Sequence, residues 1–420
     1  MRSFLLLGMG LFTSLIWTQI DEEKEIMKQL CSPEFHGRGY VENGMNLAAD
    51  YIAKEFKLFG AEPAGFANSY FHDFSLNVNT FPGIMAVKSK KRVLSPGVHY
   101  LVNSSSGSFN GKVKLVPFDA FKLIHQNKKE IEKLTKLKDN SAILLDLTPY
   151  TSRDTINLFH EISIELGNLR PVILITDEKF MWSVGRFELK FPIILIQDSV
   201  FNDEKSMEIH IENKFIKNFK TKNVVAKVAG KSSDSCFVFT AHFDHLGRMG
   251  KEVYFPGAND NASGTTMLLS LAKYFAENQP KYDLYFIAFG AEEAGLVGSK
   301  AFVDDPSFDI HKIKFLMNLD IMGSGDEGIT VVNGTLYKDQ FELLSKLNED
   351  KSLLPIIKSR GKTQNSDHYF FQEEGILTFF IYTMGKNKAY HDIFDQYETL
   401  DMDKFEDLKT LLIDYILVYP

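Results

Sequence analysis

The sequence predicts an α/β fold: a doubly wound, mostly parallel sheet flanked by helices, with a smaller α/β domain inserted into it. Three observations predict this. From Asn223 onward, short runs rich in β-branched and aromatic residues alternate with helix-like segments, the pattern that builds parallel sheets. Each run passes directly into acidic or imidazole residues, where open α/β sheets place their ligand sites. Between about Ser95 and Phe201, a second alternation of apolar runs and charged segments interrupts the first.

Composition sets the outer limits. A chain of 420 residues that is 44% hydrophobic and 13% aromatic can fill two or three domains. A net charge of −8 without a basic block argues against nucleic acid as a partner.

Residues 1–20 carry Arg2 and an apolar run from Phe4 to Trp17, followed by an acidic segment. The run is shorter than the roughly 20 residues a membrane span needs. It reads as a signal peptide for a secreted or periplasmic protein, with an uncleaved anchor as the alternative. No later stretch is long and apolar enough to span a membrane. Cys31 and Cys236 are too few for a disulfide framework. Cys236 reads as a small core residue, and a bridge between the two stays open. Asn-X-Ser/Thr triplets at Asn103, Asn261 and Asn333 read as chance matches, because Asn261 falls inside the site described below.

Residues 21–94 are assigned to the first part of the main domain, with helices at Glu22–Leu30 and Asn46–Phe59. The second ends on Gly60, a helix-stop residue. Between them, Ser32–Gly39 reads as a loop. Its glycines follow no strand, so it is not a dinucleotide motif, and His36 reads as structural. The inserted domain is assigned to 95–201, with apolar runs at Val113–Val116, Ala142–Leu147, Val172–Thr176 and Ile193–Gln197. Lys128–Lys138 reads as a solvated helix face. It offers no cluster of metal ligands, so scaffolding, gating or partner contact is its expected role. Residues 202–420 complete the main domain. Strands are expected at Phe237–Ala241, Tyr282–Phe289, Phe315–Leu319 and Leu377–Tyr382, and helices at Ser263–Glu277 and Phe405–Leu417.

The chemistry sits at the ends of those strands. The first runs into His242 and Asp244, with Asp260 across a glycine-bearing loop. The second leads to Glu292 and Glu293, the third ends on Asp320, and the fourth leads to Tyr390 and His391. Parallel strands converge at their carboxyl ends, so these groups meet in one crevice. Clustered carboxylates repel unless protons or a cation offset them. A set of His, Asp and Glu without Cys suits zinc, and less strongly manganese or cobalt. The set suffices for two ions bridged by a carboxylate. Singly, each residue reads as a helix cap, a turn residue or first-turn charge; recurrence at four strand ends favours a site.

The segments HFDH, GANDNASG, EEAGLVGS, NLDIMG and YHDIFDQYETLD resemble the successive motifs of zinc-dependent exopeptidases of the leucyl aminopeptidase and glutamate carboxypeptidase type (clan MH). The match runs from about Lys222 to the C-terminus. Met27–Phe71 is similar to the lead-in of secreted bacterial members, and Ser95–Phe201 more loosely to their protease-associated insert. The resemblance implies two zinc ions: His242 and Asp320 on one, Glu293 and His391 on the other, Asp260 bridging. It also implies Glu292 as general base toward a metal-bridging water, Asp244 orienting His242, Tyr390 stabilising an oxyanion, and Asp367 in the substrate pocket. The activity so implied is removal of N-terminal residues from peptides. A carboxypeptidase or dipeptidase, a glutaminyl cyclase and a non-catalytic binding ectodomain are the alternatives.

Overall fold

The computed structural model describes residues 22–89 and 92–420, so the expected signal peptide lies outside the described residues. A nine-stranded sheet forms the main body. At its centre, Tyr282–Phe289, Ser232–His242, Ile313–Asp320 and Thr378–Met384 lie side by side and parallel. The chain lays Ser232–His242 first, then Tyr282–Phe289 on one side and Ile313–Asp320 on the other. The reversal of direction at Ser232–His242 is the switch point where such sheets open a crevice. Lys214–Val228 and Gly328–Val332 flank this core antiparallel to their neighbours.

The central strands are apolar on both faces because helices cover both. Phe237, Phe239 and Ala241 point to one side, with Phe286, Met317 and Phe379. There they meet Ile52 and Phe56 of the helix Gly44–Leu58, Leu268 and Leu271 of Gly264–Glu277, and Leu411 and Leu412 of Phe405–Val418. Cys236 and Val238 point to the other side and pack with Phe302 and Phe371. Cys31 lies in the first cluster and Cys236 in the second. Both are free and buried, and burial pushes each thiol up to about 12, so the bridge left open by the sequence does not form.

A second, eight-stranded sheet has a parallel centre of Phe109–Phe118, Ser141–Asp146, Val172–Thr176 and Ile193–Gln197. Its outer strands include Met85–Lys88, Val93–Leu94 and Ser206–Ile211. The sheet therefore reaches beyond 95–201 at both ends. The early strands are two to four residues long, too short to show periodicity. Ser206–Ile211 does alternate, burying Met207, Ile209 and Ile211. The helix Lys128–Thr135 buries none of its residues, as its lysines foretold. One face of this sheet packs Ile175, Trp182 and Ile196 against Leu246, Met249 and Phe255 of the main body. Among the described residues, no helix is long and apolar enough to cross a membrane.

Candidate active site

The strand ends deliver the expected side chains to one buried point. His242 and Asp320 are the last residues of their strands. Glu292, Glu293 and His391 arrive on turns, and the chain bends sharply there. Ala291, Ile321 and His391 all have positive φ, near 59°, 56° and 52°. Such conformations cost about 1–3 kcal/mol each and persist only where surroundings impose them.

Asp260 lies in an irregular turn, Ala258–Ser263. The neighbouring polar side chains explain the sequence ANDNAS. Asn259 Oδ1 accepts from the Gly323 amide at 3.0 Å, Ser263 Oγ from Met322 at 2.7 Å, and Asn261 Nδ2 donates to the Leu319 carbonyl at 3.0 Å. These bonds fasten the Asp260 turn to the segment bearing Asp320. Asn261 is fully buried, which leaves no room for a glycan.

The Asp260 carboxylate reaches in two directions. Its Oδ1 lies 3.3 Å from His242 Nε2, and its Oδ2 lies 3.1 Å from His391 Nε2. Asp320 Oδ1 is 3.4 Å from His242 Nε2, and Glu293 Oε2 is 3.1 Å from His391 Nε2. Each imidazole is oriented through its other nitrogen. His242 Nδ1 donates to the Asp244 carbonyl at 3.1 Å, and His391 Nδ1 to the Trp182 carbonyl at 3.0 Å. Carbonyls only accept, so the protons sit on Nδ1 and both Nε2 lone pairs face carboxylates. Two acceptors face to face need a proton or a cation between them.

The charge balance follows from burial and from the neighbouring side chains. Burial lowers the His242 pKa, but Asp320 and Glu292 outweigh it and the net shift is well upward. His391 is raised to about 11, Glu293 and Asp260 overcoming its burial. Burial favours a protonated Asp260, yet the two imidazoles hold it far below the usual range. Asp320 Oδ1 and His245 Nε2 are buried without hydrogen-bond partners among the described residues. Two sets offer ligand atoms all within 4.8 Å of one another: His242, Glu292 and Asp320, and His245, Asp260 and Glu293. Oriented imidazoles, buried carboxylates and an orphaned carboxylate oxygen fit divalent metal.

The other expected residues fall as follows. The Asp244 carboxylate is 3.9 Å from His242 Nδ1, farther than its own main-chain oxygen. It accepts instead from the amides of Glu292 at 3.0 Å and Glu293 at 3.3 Å, so it steadies the acidic turn more directly than the imidazole. Tyr390 stacks flat on His391, with ring centroids 4.0 Å apart, and the residue is 41% exposed. Asp367 is fully buried and neither carboxylate oxygen has a hydrogen-bond partner among the described residues. The Ser299 hydroxyl, which favours its charged form, donates to Leu296. Burial pushes Asp367 up to about 7.

Four contributors were not singled out from sequence. His245 Nδ1 bonds Glu293 Oε1 at 2.8 Å. Asp395 accepts from the amides of Asn259 and Asp260 at 2.9 and 3.0 Å. Arg38, fully buried, donates to the carbonyls of Leu30, Phe243, Pro256 and Gly257 at 2.7–2.8 Å. Trp182 is the fourth. His36, read as structural, accepts from Arg248 at 3.0 Å and stays outside the cluster.

Part of the chain is similar to known proteins. Residues 223–416 match the model of peptidase family M28. Over these residues the chain belongs to that family. An aminopeptidase of Bacillus subtilis, YwaD, is 33% identical over 149 residues, covering 35% of this chain and 31% of that protein. An aminopeptidase of Pseudomonas aeruginosa is 34% identical over 119 residues, covering 28% and 21%. The chain thus aligns with under a third of the length of either relative. A solved zinc aminopeptidase from Bacillus subtilis shares the fold over 94% of this chain and 93% of its own, with a TM-score of 0.67 at 18% identity. An aminopeptidase from Aneurinibacillus sp. strain AM-1 does so over 95% and 94%, with a TM-score of 0.61 at 19% identity.

Proposed function

We propose that this M28 chain is a co-catalytic zinc aminopeptidase that hydrolyses the first peptide bond of a substrate with a free N-terminus. The observation that carries the reading is the Asp260 carboxylate, which turns one oxygen toward each of two oriented imidazoles. His242 and Asp320 would hold one zinc, His391 and Glu293 the other, and Asp260 both. When bound, two zinc ions lower the pKa of water toward neutral and polarise a carbonyl.

The chain's own residues supply the rest. Glu292 is kept protonatable by burial and by the nearby Asp367 and Glu293 carboxylates. It can take a proton from water and return it to the leaving amine at the same carboxylate. Tyr390 holds its phenolic proton, because desolvation and the Asp260 and Glu293 charges oppose ionisation. It is therefore a donor for negative charge developing on the carbonyl oxygen. The preference for an aminopeptidase over a carboxypeptidase is supported by the relatives named aminopeptidase.

The test is metal content of the purified protein with hydrolysis of aminoacyl-anilides before and after chelation. Two zinc per chain, with activity lost to chelator and restored by zinc, is the expected result. One zinc without anilide hydrolysis points to a cyclase, and neither metal nor activity to a binding ectodomain.

We also propose export driven by the apolar N-terminal run, and treat the eight-stranded sheet, Met85–Ile211, as one inserted domain. The intact mass of extracytoplasmic protein checks the first, and limited proteolysis around residues 81–84 and 212–213 the second.

A further inference from the structure

We infer that the loop between Val172–Thr176 and Ile193–Gln197 of the second sheet is a working part of the metal centre, with Trp182 as positioning residue for His391. The inference rests on the di-zinc reading above. Trp182 and His391 are joined twice through their main chains and the imidazole. The Trp182 amide donates to the His391 carbonyl at 2.8 Å, and His391 Nδ1 donates back to the Trp182 carbonyl at 3.0 Å. One bond fixes the tautomer that frees Nε2 for metal. The other braces His391 in its positive-φ conformation.

The loop is itself held firmly. Trp182 is 6% exposed, stacks on Phe255 with centroids 4.7 Å apart, and donates from Nε1 to the Val102 carbonyl at 2.7 Å. Asn79 donates its amide to Gly185 at 2.8 Å, and Ser183 bonds Ser104 at 3.0 Å. A second clamp lies beside the first. Lys179 Nζ meets the buried Asp392 carboxylate at 2.7 Å and donates to the Lys388 carbonyl at 2.7 Å, gripping the loop that carries Tyr390 and His391 from both sides.

The second sheet thus reaches the catalytic centre through main-chain atoms, and its seating sets how well one of the two metals is held. His242, whose Nδ1 partner is the local carbonyl of Asp244, has no such dependence. The consequence is an asymmetry: disturbing the loop weakens the His391–Glu293 site and spares the His242–Asp320 site.

Stepwise zinc competition against a chelator, with thermal melting as a check on folding, tests this on wild type, Trp182→Ala, Trp182→Phe and Lys179→Met. Loss of an outer partner of a metal-binding histidine typically costs 10–100-fold in metal affinity. Trp182→Ala keeps that carbonyl but frees the loop that aims it, so one zinc is expected to weaken by up to that factor while the other keeps its wild-type affinity. Trp182→Phe, which keeps the stacking on Phe255, should recover most of the loss. Lys179 is half-exposed, so Lys179→Met should fold normally and still weaken the same zinc. With saturating zinc, kcat should return toward wild type. If folded Trp182→Ala and Lys179→Met bind both ions as wild type does, or lose both equally, the inference is wrong. If wild type itself does not bind two zinc ions, the di-zinc reading fails instead.

Discussion

Glu292 and Glu293 are neighbours in sequence and ionise in opposite senses. Burial raises both. For Glu293, His391 and His245 outweigh it and bring the carboxyl down to about 2. For Glu292, His242 opposes burial, but Asp367 and Glu293 reinforce it, and the group ends well above its ordinary value. One is thus a standing anion suited to bind a cation, and the other a proton carrier. Glu292→Gln should therefore lower kcat by roughly 10²–10⁴-fold while both zinc ions stay bound. Retention of more than a tenth of the activity would remove Glu292 from its role. Tyr390→Phe keeps the stack on His391 and deletes the hydroxyl. A kcat loss on the order of 10²-fold with unchanged KM is expected if the phenol meets the developing oxyanion; an unchanged kcat rejects that. The residue types at these positions were legible because chemistry restricts them. Asp395 and Trp182 were not, since an amide or carbonyl that any residue could supply leaves no mark on composition. They act on partners 136 and 209 positions away.

At the scale of elements, the apolar runs at the centre of both sheets were readable because strands covered on both faces are continuously hydrophobic. Tyr282–Phe289, Val172–Thr176 and Ile193–Gln197 fall where the sequence places them. The ribbon of Phe71–Thr80 against Lys214–Val228 was not readable, because its outer half is exposed and polar. Nor was the lead-in Pro33–Arg38, whose shape follows from what it touches. Gly37 and Gly39 lie so close to Gly247 that a Cβ on either would fall about 2.3–2.5 Å from its backbone. That contact seats Arg38, whose donors satisfy four carbonyls, two of them in the Pro256–Gly257 stretch leading to Asp260. Arg38→Met fills much of the volume and orphans those carbonyls. At about 1–3 kcal/mol for each buried unsatisfied group, destabilisation of at least about 3 kcal/mol is expected by denaturant melting. A loss below about 1 kcal/mol contradicts the assigned role.

For the whole molecule, the proposed metal centre would make folding, pH and metal a single linked equilibrium. Asp244 is raised by burial from 3.8 to about 8, Asp367 likewise to about 7, and His391 from 6.5 to about 11 by its carboxylate neighbours against its burial. Each raised group holds a proton in the folded state that the unfolded chain has released, once pH exceeds the ordinary value. Stability then falls as pH rises. Glu293 and Asp260, shifted down, act the other way, but only below their ordinary values of 4.5 and 3.8. Between pH 5 and 8 these carboxyl and ligand groups therefore share one sign; His368, lowered by burial to about 4, opposes them only below its ordinary 6.5, so the metal-free protein should lose several degrees of Tm from pH 6.5 to 8. Zinc reverses the slope at the site, because its ligands bind deprotonated and its affinity grows with pH. Glu23, raised to about 7 by burial away from this cluster, adds the same slope to both forms and cancels in their difference. Melting in excess chelator and in excess zinc, from pH 5 to pH 8, should thus give a Tm gap that widens steadily. A gap that narrows, or a chelated protein that gains stability toward pH 8, would mean that these buried carboxylates ionise freely without metal and that the cluster is not built around one.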